Sequence, residues 1–138
     1  MNIYNVNDEN FVSSNVYQDF LEKNPALGNL KIRAYAASQA IPIKGLQVVV
    51  SYDLDDNNKI IFFEGVTDES GAIEKISLPA PKLDLNNLDV PNTTTYDIIF
   101  TYNPDNVKGI YKVNMYEDIC VIQNINIVPE IRFGIGGI

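Results

Sequence analysis

The residues best suited to chemistry lie between Asp53 and Glu64. Asp53, Asp55, Asn57 and Glu64 stand at positions 1, 3, 5 and 12 of the oxygen-ligand spacing of a calcium loop, with Ile60 at position 8. The sixth position, where such a loop turns sharply on glycine, is Asn58. The flanks, 48–50 (VVV) and 60–63 (IIFF), have strand character where that loop needs helices. A polar hairpin turn with Glu64 on a strand is therefore the preferred reading, and no metal is expected. Other carboxylates cluster as Asp53, Asp55 and Asp56, as Asp68 and Glu69, and as Glu117 and Asp118, all in stretches with turn chemistry. Turn carboxylates are solvated and ionised, whereas a catalytic acid needs burial to raise its pKa. Cys120 has no histidine to activate it, because the chain has none, and reads as a small buried or half-buried hydrophobe. The expectation is no catalytic residue, no cofactor and no enzyme.

The elements that would position such groups follow from the rest of the chain. Its 138 residues suit one core, and 46% hydrophobic with 20% charged residues is the balance of a globular domain. Ten basic against eighteen acidic residues give a net charge of -8, which repels a phosphate backbone, so nucleic acid is not expected as a partner. The absence of His and Trp, with a single Cys, excludes histidine triads, histidine-held metal, structural zinc and an internal disulfide. The opening MNIYNVNDEN lacks the basic and apolar regions of a secretion signal, so synthesis in the cytoplasm is expected. No apolar run approaches the roughly 20 residues of a membrane span.

Residues 1–27 read as an Asn-rich arm carrying one short helix over 15–23, with Ser14 as N-cap and Asn24-Pro25 as its end. Val16 and Phe20 lie one turn apart on its apolar side. A helix this short is not stable alone, so that side docks on its own domain, the preferred reading, or on a partner. From Gly28 the period changes to two, and Ile, Val, Tyr, Phe and Thr dominate. Strands are predicted at 30–36, 46–52, 60–66, 72–78, 94–102, 107–116 and 119–128, separated by turn residues, with one longer crossover at 79–93. Seven strands without alternating helices predict an all-β, seven-stranded antiparallel β-sandwich over 28–129 with a short N-terminal helix. The tail over 130–138 ends in an apolar strip, Ile131, Phe133, Ile135 and Ile138, suited to adding a strand to a sheet edge in its own domain or a neighbour.

The stretch Gly28-Asn-Leu-Lys-Ile32, then 41–50 (IPIKGLQVVV), 66–71 (VTDESG) and 96–99 (YDII), resembles the transthyretin-like, or carboxypeptidase-regulatory-like, family over roughly residues 28 to 129. The short words TDESG at 67–71 and ISLPAP at 76–81 also resemble the N-terminal module of clostridial spore cortex-lytic enzymes. The resemblance implies a prealbumin-like sandwich and a non-catalytic module. A related branch, the collagen-adhesin B-type domains, carries a Lys-to-Asn isopeptide bond. Lys31 with Asn124 or Asn126 would supply it here, but Phe100 stands where the promoting acid is needed, so the bond is not expected.

Together these readings give a binding protein, a structural or adaptor subunit of a bacterial spore, envelope or phage-particle assembly. Its partners are proteins or further copies of itself, and Val16, Phe20, Ile131, Phe133, Ile135 and Ile138 are the candidate partner-binding residues. The alternative is a carbohydrate or peptidoglycan module. It would draw on the eight tyrosines, of which Tyr35 and Tyr116 are the outward candidates.

Overall fold

The computed structural model describes residues 1–36, 41–86 and 92–128. Strand β1 (Asn2–Asn5) leads into two short helices, α1 (Glu9–Val12) and α2 (Asn15–Lys23). Then follow β2 (Ala26–Ala36), β3 (Ile41–Pro42), β4 (Gln47–Asp55), β5 (Asn58–Val66), β6 (Ala72–Ala80), β7 (Thr94–Tyr102), β8 (Val107–Met115) and β9 (Cys120–Asn126). The larger sheet has the order β1-β5-β4-β7-β8, and in the smaller one β2 lies between β6 and β9, with β3 at its end. Among the described residues no helix is long and apolar enough to cross a membrane.

Strand alternation builds the core as the sequence reading expects. Leu30, Ile32 and Ala34 of β2, Val48 and Val50 of β4, and Tyr96, Ile98 and Phe100 of β7 point into one continuous apolar layer between the sheets. The Tyr96 hydroxyl, buried with its ring, donates to the Pro79 carbonyl at 2.6 Å, and burial pushes its pKa far up. The turn at 67–71 closes on Gly71, whose φ of +75° suits glycine. The Asp68 carboxylate accepts from the amides of Ser70 and Ala72 at 2.8 and 3.0 Å. Buried Thr67 donates to the Ile43 carbonyl and accepts from the Leu46 amide, pinning that turn to the start of β4.

Two features depart from the predicted sandwich. Nine strands are present among the described residues rather than seven, and the pairs β1·β5 and β2·β9 are parallel. After β8 the chain turns at Asp118, φ +58°, and enters the other sheet beside β2, running the same way. Turn residues mark that a chain reverses but not which sheet it rejoins.

Residues 1–27 are also no free arm. β1 extends the larger sheet, β2 begins at Ala26, and Phe11 and Phe20 are buried. Ser14 caps α2 as predicted, accepting from the Tyr17 amide, and buried Asn24 closes the helix by donating to the Phe20 carbonyl at 2.9 Å. The rings of Tyr4, Phe11, Tyr17 and Phe20 follow one another at centroid distances of 4.8, 5.2 and 6.2 Å, and Phe20 meets Tyr52 at 4.8 Å. The helix thus docks on its own domain.

Candidate functional site

Residues 53–64 form the β4–β5 hairpin and no calcium loop. Asp55 accepts from the Asn57 amide and the Asn58 side chain at 2.8 and 2.9 Å, which lowers its pKa, while Asp53 pairs with Lys59 at 3.8 Å. Glu64 lies opposite Val49 on the strand. Among the described residues no three His, Cys, Asp or Glu converge on a point. The other turn carboxylates are dispersed. Asp68 is held in its own turn, Glu69 lies 3.6 Å from Lys44, and Glu117 accepts from the Leu83 amide.

Other sequence candidates separate as well. Phe20, expected at a partner surface, is 5% exposed in the core, a correction with a simple cause: its ring completes the aromatic cluster with Tyr52 and Phe62. Val16 stays 46% exposed on the same helix. Ile131, Phe133, Ile135 and Ile138 lie outside the described residues. Cys120, read as buried or half-buried, is exposed at the first position of β9. Of the outward tyrosine candidates, Tyr35 is half-buried beside Asn126 and Pro42, and Tyr116 is half-buried just after β8.

What the strands do assemble is the outer face of the larger sheet. Because Tyr96, Ile98 and Phe100 point inward, the odd positions of β7 point outward, and the register aligns them in rows across four strands. One row reads Lys108, Thr101, Gln47, Val66 from β8 to β5. The next reads Ile110, Ile99, Val49, Glu64, and the third Lys112, Asp97, Ser51, Ile61. Ile110 and Val66 are 57% and 58% exposed, while Val49, Ile99 and Ile61 are half-buried. Three branched apolar side chains therefore lie side by side on three adjacent strands, and Val66 stands one row away. None of them is covered by another element among the described residues.

Beside this apolar row sits a group the sequence reading did not single out. Asp97 is buried, and its carboxylate accepts from the exposed Lys112 ammonium at 2.8 Å. That hydrogen bond, then the Asp97 charge, holds the Lys112 pKa above the usual lysine range, with a smaller contribution from Asp53. Ser51, the cross-strand neighbour of Asp97, is also buried, and its hydroxyl has no partner among the described residues. Pairing between β4 and β7 ends at Ser51 and Asp97, and past that point a polar cleft of about 320 Å³ opens, lined by Asp53, Thr95, Asp97 and Lys112 among others. The available signal was Asp97 itself, a charge inside an otherwise apolar strand.

Two stacked strand layers in which β2 runs between antiparallel β6 and parallel β9 define the protein as a sandwich of the transthyretin-like, or prealbumin-like, fold. Solved structures bear this out. The 5-hydroxyisourate hydrolase of Klebsiella pneumoniae matches with a TM-score of 0.53 and 16% identity over 74% of this chain and 90% of its own. An (S)-allantoin synthase matches with a TM-score of 0.50 and 10% identity over 83% of this chain, which spans 45% of that larger one. No protein-family model matches the chain, and no curated protein matches it in sequence. The likenesses show the transthyretin-like fold and not the narrower resemblance to spore cortex-lytic modules. They also correct the expectation that this is no enzyme. A hydrolase shares the fold, so the architecture carries catalysis elsewhere and gives no ground for setting this chain outside it.

Proposed function

We propose that the protein is a binding subunit, structural or adaptor in role, that engages another protein through the outer face of its larger sheet. The observation that carries this reading is the row Ile110, Ile99, Val49, with Val66 beside it, which no other element covers among the described residues. An apolar row on adjacent strands has the composition of an interface centre, and the charges around it, Lys108, Lys112 and Glu64, form a polar rim. Leaving such surface in water forgoes about 25 cal/mol for every Å² that a partner would cover. The setting proposed for it is a bacterial spore, cell-envelope or phage-particle assembly.

Chemical cross-linking in the protein's own intact cells, where a partner keeps its native concentration, tests the reading. The expected result is conjugates above the 15.4 kDa of one chain for the wild type and their loss for Ile110→Asp. Identical conjugates for the two would overturn the proposal.

A further inference from the structure

The charge pattern of this face names a partner. Lys108 and Lys112 stand on β8 at one side of the apolar row, and Glu64 stands on β5 at the other. Neither Lys108 nor Glu64 has an oppositely charged partner within 4.0 Å among the described residues. We propose, resting on the binding reading above, that the occupant of the face is a second copy of this chain, packed face to face about a two-fold axis parallel to the strands.

That axis lays β8 of one copy over β5 of the other and keeps each row over itself. Val49 then meets Ile99 at the centre. Glu64 of each copy lands over Ile110 of the other, between Lys108 and Lys112, within reach of either ammonium. The other in-plane axis, perpendicular to the strands, sets β8 on β8 and β5 on β5. It opposes lysine to lysine and glutamate to glutamate, which local repulsion disfavours. Within these three rows, the first arrangement is the one that sets opposite charges against each other.

Its size sets the strength. Four strands about 4.8 Å apart and three rows two residues apart cover roughly 400 Å² on each copy, half the area of a standard stable interface. The net charge of -8 also opposes association, though at physiological salt it is screened beyond about 8 Å. The dimer is accordingly weak, with a dissociation constant on the order of 100 µM, and it forms where the chain is concentrated.

Sedimentation equilibrium of the purified full chain from 10 µM to 1 mM at physiological salt tests the inference. Circular dichroism confirms that each variant is folded. The expected result is a reversible monomer–dimer equilibrium, weakened about tenfold by Lys108→Glu or by Glu64→Lys, because each inverts two symmetry-related pairs. The double variant Lys108→Glu/Glu64→Lys restores it, since the swapped charges again complement each other across the axis. Ile110→Asp leaves only monomer. A purified wild type that stays monomeric throughout overturns the second-copy inference. The binding reading then still stands or falls on the cross-linked conjugates of Ile110→Asp in intact cells. A dimer indifferent to these four variants uses another surface and overturns the inference equally.

Discussion

The outer faces of the two sheets rest on the same core and meet the same water, yet they are finished differently. On the smaller sheet, Lys31 pairs with Glu74 at 3.0 Å, Ser77 donates to Asn29 at 3.1 Å, and Arg33 stands beside Asn124, so the strands present polar groups outward. Its exposed large apolar residues among the described ones, Leu27, Ile41 and Ile122, lie on three different strands and none is paired with another, as is usual for single surface residues. On the larger sheet, Val49, Ile99 and Ile110 are direct cross-strand neighbours. Alternation with a polar outer side is the ordinary solution for a solvated sheet, and the smaller sheet adopts it. The larger sheet breaks it in one row, and that row is where binding is proposed.

Changes within the shared core should have the largest effects and should not distinguish the two sheets. Leu30→Ala under the smaller sheet and Ile98→Ala under the larger are each expected to cost about 2–5 kcal/mol, because both side chains are fully buried in one packed layer. Urea unfolding checks this. A several-fold difference between the two would mean that the sheets do not share a core.

Ion pairs on the two faces should differ in weight. Asp97→Ala on the larger sheet removes a buried, hydrogen-bonded carboxylate, with an expected loss of about 1–3 kcal/mol. Glu74→Ala on the smaller sheet, whose carboxylate is 65% exposed, is expected to change stability by less than about 0.5 kcal/mol. Equal losses would remove the contrast.

The smallest effect is in the alkaline range. Lys112 has a raised pKa in the folded chain, so its contribution is fully present below the ordinary lysine value of about 10.4 and disappears as pH rises through the raised one. The stability difference between wild type and Lys112→Met should therefore be constant from pH 7 to 10 and shrink above that, measured by urea midpoints. A difference that stays constant to pH 12 would separate Lys112 from Asp97.

Much of this fold was legible because alternation leaves a direct mark. Leu30, Ile32 and Ala34, and then Val48 and Val50, declare a buried side at period two, and Ser14 with Asn24-Pro25 bounds α2. What escaped was decided by distant contacts. β1 is four residues long with two asparagines, and only its parallel pairing with β5 makes it a strand. Phe20 looks the same in sequence whether it meets a partner or Tyr52. The apolar row was illegible for a related reason. Val49, Ile99 and Ile110 are separated by tens of residues, and each reads as one more branched side chain in a strand until the register sets them side by side.

The central claim, that this row is a binding surface and the opposite sheet is not, is tested most directly by a matched pair of isoleucines. Ile110→Asp and Ile122→Asp place the same charge at similarly exposed positions on opposite faces, and both should leave folding intact. Followed by chemical cross-linking in the protein's own intact cells, Ile110→Asp should lose the conjugates above one chain while Ile122→Asp keeps those of the wild type. Equal behaviour of the two variants, whether both lose them or neither does, would contradict the account.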